Sequence, residues 1–309
     1  MKPLVSIIIP VFNGSNYMRE AIDSALAQTY QNIEIIVVND GSCDDWKTEE
    51  IALSYGEKIR YVSKENGGSS SALNTGIRHM KGEYFSWLSH DDVYLPDKIE
   101  KQVEAMARFD SETTMVVCSG MLIDENGQPI LSKKRKTEGL KSSKEALSYL
   151  THGRGINGCG VLLSKTVIDR VGFFDENMVY LNDMDYWFRI LFADVSVAYI
   201  TDKLLKTRIH SQQVSVKKIA MFDQERHYLA NKMLNALDHV KMARFDALKQ
   251  ISYFAASENL KDEYRAAIKM LAREEKSVFG LRVYLSFCWV KGYIFRCLKA
   301  LRKRILFRR

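Results

Sequence analysis

The sequence predicts an α/β fold: a mainly parallel sheet sandwiched by helices, with a helical C-terminal extension. Three observations predict it. Short runs of β-branched and aliphatic residues alternate with segments whose apolar residues recur at helical spacing. Two acidic stations, Val37-Val38-Asn39-Asp40-Gly41-Ser42 and Ser89-His90-Asp91-Asp92, each follow an apolar run. Each therefore places carboxylate at the C-terminal end of a strand, the edge where open α/β sheets bind ligands. Finally, strand signals stop near Lys217, and long helical patterns run from there to about Lys276.

Residues 4–9 read as a buried β-branched strand ended by Pro10. Residues 15–28 carry Met18, Ala21, Ile22, Ala25 and Leu26 at helical spacing, with Ser15 as a candidate N-cap. Residues 33–38 and 59–62 are the next strands, residues 69–80 a helix, and residues 83–88 a fourth strand. Residues 115–119 and 121–123 look like further strands, and Glu125-Asn126-Gly127 signals a turn into a hairpin edge. Four glycines between Gly153 and Gly160 allow a sharp turn or a close backbone approach. A strand at 161–163, a helix at 164–171, a helix at 182–192 and strands at 195–200 and 204–209 complete the sheet region. The domain boundary is placed near residue 215, giving a sheet domain over 1–215 and a helical extension over 216–309.

The chain of 309 residues is 46% hydrophobic, enough for a substantial core. Its five cysteines are scattered and odd in number, with no CxxC pair, which argues against a zinc ribbon or disulfide framework and for a reducing compartment. Met1-Lys2-Pro3 leads straight into the first strand, so the start reads as cytoplasmic. Charge is unevenly placed. The ten basic residues after Glu275, with no acid among them, exceed the whole net charge of +7 and leave the preceding residues net negative. Carboxylates gathered at a ligand edge suit a phosphate only when a divalent cation sits between them. The two stations together thus point to a nucleotide-diphosphate site with a metal.

Five blocks, at 5–13, 37–42, 66–76, 87–92 and 182–189, occur in order at fitting separations and resemble family 2 glycosyltransferases with the GT-A fold, of the bacterial surface-glycan type. The resemblance covers roughly residues 4–215. It implies that Asp40 accepts the base N–H of a uridine, with Pro10 and Val11 lining the pocket. The turn reading of Asp-Gly-Ser stands beside that role. It implies that Asp91 binds Mg²⁺ or Mn²⁺ and, through it, the diphosphate, where the alternative for Asp91 and Asp92 is capping a helix that starts near Leu95-Pro96-Asp97. Asn39, Ser89 and Asn182 stand where the family commonly has acids. Asp183 is implied as the base that takes the acceptor proton, against a plain helix-start acid. Asp185 competes for that role, but two residues along a helix it points elsewhere. His210 is implied at the metal or diphosphate, against a structural histidine. Arg208 and Lys206 are weaker candidates for a place near phosphate. Gly158-Cys159-Gly160 resembles the acceptor-side loop, with Cys159 a small packing residue.

The tail, residues 278–309, mixes aromatic and aliphatic residues with bases and is interrupted by Arg282 and Lys291. It is a poor spanning helix and a good interfacial one, with an apolar face, flanking bases and aromatic anchors. A helix packed on the domain or on a second copy is the alternative. No nucleic-acid module surrounds the bases. The expected function is an inverting, metal-assisted transfer of a sugar from a nucleotide-diphosphate donor, a UDP-sugar by preference, to a hydroxyl of a surface-polysaccharide or lipid-linked glycan. The protein would sit peripherally on the inner face of the cell membrane. The alternatives are a non-catalytic membrane-associated partner of the same fold and a sugar-phosphate nucleotidyltransferase. The latter lacks the expected Gly-rich loop after the first strand, where Pro10-Val11-Phe12-Asn13-Gly14 stands instead.

Overall fold

The computed structural model describes residues 2–130, 137–152, 155–211, 219–274 and 290. These divide into two compact units. The first comprises residues 1–142, 156–191 and 195–218, and the second residues 143–155, 192–194 and 219–309.

The first unit begins with β1 (Val5–Val11), α1 (Met18–Leu26), β2 (Ile33–Asp40), α2 (Lys47–Leu53), β3 (Arg60–Lys64) and α3 (Gly68–His79). It continues through β4 (Tyr84–Trp87), β5 (Val93–Tyr94), α4 (Lys98–Met106), β6 (Thr114–Ile123), β7 (Pro129–Ile130) and β8 (Gly139–Lys141). After β9 (Val161–Ser164), α6 (Lys165–Val171) and α7 (Asn182–Phe192) it closes with β10 (Ser196–Arg208). The strands form one ten-stranded sheet in the order β3-β2-β1-β4-β9-β6-β10-β5, with β7 on β6 and β8 on β10. The long pairings β1–β2, β2–β3, β1–β4 and β6–β10 are parallel, while β9 is antiparallel to both of its neighbours. Chain order runs outward from β1 to β2 and β3, then crosses back to β4 on its other side. The C-terminal ends of β1 and β4 therefore flank a topological switch point, where a crevice opens for ligand.

Alternation along β1 assigns the faces. Val5, Ile7, Ile9 and Val11 pack with Met18, Ala21, Ile22 and Ala25 of α1 and with Ile99 and Met106 of α4. Burying side chains of the size of Met18 and Ile22 stabilises by roughly 2 kcal/mol each. Ile8 points the other way, onto α3, where Gly76 lets helix and strand approach: a Cβ there would lie 2.3 Å from Ile8 Cγ2. Buried residues on both faces explain why these strands read as continuous apolar runs.

Several expectations shift in detail. β1 runs through Pro10 to Val11 rather than ending at the proline. Pairing with β4 stops at Ile8, so at Pro10 the strand has β2 alone as a neighbour and the missing N–H costs no ladder bond on the β4 side. Ser15 does not cap α1; the helix starts at Met18, and the Tyr17 and Met18 amides both donate to the Gly14 carbonyl. The two strands expected between 115 and 123 are the single strand β6, and those expected between 195 and 209 are β10, whose register shifts near Lys203. Helix α2 was not anticipated. Seven residues are too few for periodicity to register, and its start is instead fixed by Asp44, whose carboxylate accepts from Thr48 Oγ1 at 2.7 Å.

The second unit is helical: α5 (Ser143–Thr151), α8 (Ile219–Asn235), α9 (Arg244–Glu258) and α10 (Lys261–Glu274). Thr151 Oγ1 donates to Gln250 Oε1 at 3.1 Å, and the His152 ring stacks on Tyr253 with centroids 3.6 Å apart, joining α5 to α9. No helix among the described residues is long and apolar enough to cross a membrane. The basic aromatic tail, apart from Val290, lies outside the described residues, as does the segment 212–218 that follows the last strand.

Candidate active site

The first acidic station closes β2. Asp40 is 3% exposed, and its carboxylate is held from three directions. Oδ1 accepts from Lys64 Nζ at 2.7 Å and from the Gly67 amide at 3.0 Å; Oδ2 accepts from the Gly68 amide at 2.7 Å. The parallel register sets Asp40 opposite Lys64, and α3 starts at Gly68, so the carboxylate meets a cation and the positive end of a helix. Gly41 turns the chain away at φ +68°, and a Cβ there would stand 2.6 Å from the Asn66 amide, so only glycine fits. Asn39 uses both ends of its amide: Nδ2 donates to the Tyr61 hydroxyl at 2.8 Å and Oδ1 accepts from the Ser42 amide at 2.9 Å. A carboxylate there would lose the donor. The turn is tied to the β1–α1 loop by Asn13, whose N–H donates to Ser42 Oγ and whose Oδ1 accepts from the Cys43 amide. Pro10 and Val11, both buried, lie opposite Val38 and Asn39 at the same edge.

The second station follows β4 across the switch point. Asp91 Oδ2 lies 3.1 Å from His210 Nε2, with the two side chains 14% and 8% exposed. The His210 Nδ1 is buried and has no hydrogen-bond partner among the described residues. Asp92 is buried, and its Oδ1 accepts the Arg208 amide at 2.9 Å. It does not cap α4, which starts at Lys98, six residues further along. Burial, reinforced by the charge of Asp91, holds the Asp92 carboxyl well above the usual carboxylate range. His90 sits against the Pro10 backbone, and burial pushes its imidazole below the ordinary value. Ser89 turns inward: its amide donates to Cys159 Sγ at 3.2 Å and the thiol reaches Ser89 Oγ at 3.4 Å. Burial pushes the Cys159 thiol far up, which keeps it protonated. Gly158 beside it packs on Trp87, where a Cβ would come within 2.4 Å of the indole ring.

Asp183 stands in the first turn of α7 and keeps part of its surface in solvent. Its Oδ1 accepts from the Met184 amide at 2.6 Å, and desolvation nonetheless pushes its carboxyl up to about 6. Asp185 has a different fate: it is buried and paired with Arg189 Nε at 2.9 Å. Asn182 donates to Ser69 Oγ at 3.0 Å, and Ser70 Oγ donates to the Met178 carbonyl at 3.0 Å. The first turn of α3 is thus gripped by Asp40 on one side and by the entry to α7 on the other.

Asp91 and His210 are in direct contact, and Pro10 and Val11 lie beside the end of β2. Asp183 is linked to the Asp40 station through Asn182 and α3. All belong to the first unit. Arg208 is not a phosphate ligand in waiting: its side chain is 2% exposed and its nitrogens are spent on the Asp91, Asp124 and Glu125 carbonyls and on Glu20. Lys64, Glu20 and the clamping role of Asp92 escaped the sequence reading. A buried arginine within an apolar strand was the available signal, because such a charge requires a partner.

A carboxylate and an imidazole are both groups that bind divalent metals. Asp91 Oδ2 and His210 Nε2, 3.1 Å apart, are near enough to share one ion. Among the described residues no cluster of three or more His, Cys, Asp or Glu side chains surrounds a metal position. Among those residues Asp91 and His210 would hold such an ion, with substrate phosphates and water completing its shell.

An α/β sheet with acids at its C-terminal edge, astride a switch point, is the arrangement of the GT-A architecture. Residues 6–172 match the model of the glycosyl transferase family 2, and the chain belongs to that family. An uncharacterized glycosyltransferase of Rickettsia bellii is 44% identical over 296 residues, which cover 93% of this chain and 42% of that protein. A second, of Rickettsia typhi, is 44% identical over 283 residues, covering 90% of this chain and 87% of that one. The chain thus spans about two fifths of the length of the Rickettsia bellii relative and most of the Rickettsia typhi one. Among solved structures, S. aureus TarS 1-349 in complex with UDP-GlcNAc shares the fold, with a TM-score of 0.68 at 14% identity over 94% of this chain and 89% of that one.

Proposed function

We propose that this protein is an inverting glycosyltransferase that moves a sugar from a nucleotide-diphosphate donor, a UDP-sugar, to a hydroxyl of a surface-polysaccharide or lipid-linked glycan. The observation that carries the reading is the Asp91–His210 pair, 3.1 Å apart beside the switch point. Residues 1–215 carry the transfer, and residues 216–309 form the extension. Pro10 and Val11 line the uridine, and Asp40, fixed by Lys64 and the start of α3, accepts the base N–H. Asp91 and His210 hold Mn²⁺ or Mg²⁺. Bound there, the ion offsets the charge of the departing nucleoside diphosphate. Asp183 accepts the proton of the attacking hydroxyl, and a carboxyl raised to about 6 is a stronger base than an ordinary aspartate while still ionised at neutral pH. A single displacement needs no enzymatic nucleophile. The shared fold with a TarS structure holding UDP-GlcNAc supports the UDP-sugar donor.

Thermal stabilisation by a panel of nucleoside diphosphates, each with and without Mn²⁺, tests the donor assignment. Binding to the native state raises apparent stability by mass action. A shift with UDP that depends on Mn²⁺ is the expected result. No shift with any nucleotide would favour the non-catalytic alternative, to which Asn39, Ser89 and Asn182 lend some weight.

The basic aromatic tail is proposed to hold the protein on the inner face of the membrane, at roughly 1 kcal/mol per base near anionic lipid. Removing residues 278–309 should abolish sedimentation with anionic vesicles and leave donor turnover intact. Undiminished sedimentation would dismiss the tail as the anchor.

A further inference from the structure

Arg208 makes more polar contacts than the fold of one strand end requires. Its Nε donates to the Asp91 carbonyl at 3.0 Å, and its Nη1 reaches the Glu125 carbonyl at 3.2 Å and the Asp124 carbonyl at 3.4 Å. Its Nη2 pairs with Glu20, which lies in the first turn of α1 and remains half exposed. Its own amide holds Asp92. The guanidinium also lies over the Tyr17 ring, 4.4 Å from the centroid. The same ring meets the His210 imidazole with centroids 5.1 Å apart. Tyr17 immediately precedes α1 and Glu20 lies in its first turn, whereas Arg208 ends β10 and His210 follows two residues on.

We propose that Glu20, Arg208 and Tyr17 form a bracket that orients the Asp91–His210 pair toward a divalent cation. These are positioning residues, and none of them touches the ion. Arg208 fixes the Asp91 backbone through its carbonyl. The Tyr17 ring packs against the His210 imidazole at a tilt of 50°, and His210 Nδ1 has no hydrogen-bond partner among the described residues to orient the ring. A ligating histidine is ordinarily aimed by a hydrogen bond from its other nitrogen. Here packing against an aromatic ring, itself steadied by a buried guanidinium, takes that role. Glu20 supplies the counter-charge that keeps a nearly inaccessible arginine in place, since a buried charge without a partner is strongly destabilising. The bracket rests on the assignment of Asp91 and His210 as metal ligands.

The test titrates Mn²⁺ against the purified full chain at fixed UDP, reading the midpoint of UDP-induced thermal stabilisation. Variants are Glu20→Gln, Tyr17→Leu and Tyr17→Phe. Loss of outer-sphere support lowers metal affinity on the order of 10-fold. Glu20→Gln and Tyr17→Leu should each raise the Mn²⁺ midpoint by about that factor with the metal-free UDP shift unchanged, and Glu20→Gln should also lower the ligand-free melting temperature, because it removes the counter-charge of the buried Arg208. Tyr17→Phe keeps the ring and should restore the wild-type midpoint. One common midpoint for wild type, Glu20→Gln and Tyr17→Leu would overturn the bracket, as would a Tyr17→Phe midpoint as high as that of Tyr17→Leu. A wild type that shows a UDP shift without any need for Mn²⁺ would instead remove the metal assignment, and the bracket with it.

Discussion

Replacing Asp183 with Asn should abolish sugar transfer while leaving UDP affinity nearly intact. A positioned general base contributes on the order of 10²- to 10⁴-fold, so kcat should fall by about that much. The amide keeps the size of the carboxylate and the acceptor for the Met184 amide, so folding should survive. Stability supplies an independent sign. Burial pushes the folded carboxyl up to about 6 from an ordinary value of 3.8, so the native state binds more protons between those values and loses stability as pH rises through them. At pH 7 the ionised group is a burden on the order of 3 kcal/mol, which the Asn variant should recover as a higher melting temperature. The wild-type kcat/KM should decline as pH drops below about 6, where the base becomes protonated. Unchanged turnover in Asp183→Asn would defeat the assignment, and a variant that fails to melt cooperatively would mark Asp183 as structural.

Asp91→Ala carries the second large expectation. Its carboxylate lies 3.1 Å from His210 Nε2 and is one of the two groups proposed to hold the ion, so its loss would leave His210 alone. Wild type at UDP a hundredfold above Kd with Mn²⁺ should gain about 2.7 kcal/mol of apparent stability. The variant should lose the metal-dependent part and retain any metal-free UDP binding, because Asp40 and the β1 edge are untouched. Arg208 contacts the Asp91 carbonyl rather than its side chain, so the bracket should persist in the variant. Isothermal titration of UDP with and without Mn²⁺ reads this directly. Equal metal dependence in both proteins would exclude Asp91 as a ligand.

Much of the fold was legible because its signals are local. The β-branched run before Pro10, the helical spacing of Met18, Ala21, Ile22 and Ala25, and the 182–192 helix each arise from neighbours within a few residues, and the structure has them at those places. The acidic stations were legible for the same reason: a carboxylate directly after an apolar run stands at a strand end wherever that strand is placed. What was misread depended on distant partners. Whether Pro10 ends a strand depends on where β4 stops pairing. Whether Asp92 caps a helix depends on β10, since its acceptor is taken by an amide 116 residues away.

The sequence by itself determined the alternation of strands and helices, the membership in glycosyl transferase family 2, and the residue types gathered at the sheet's C-terminal edge, all through short-range periodicity and ordered motifs. Only the tertiary structure decided that Lys64 faces Asp40, that Asp91 meets His210 and that Glu20 reaches Arg208 across 188 residues. The reason is physical: a buried charge must be neutralised by whatever group the strand order brings alongside, and that order is a property of the folded sheet rather than of any local stretch of chain.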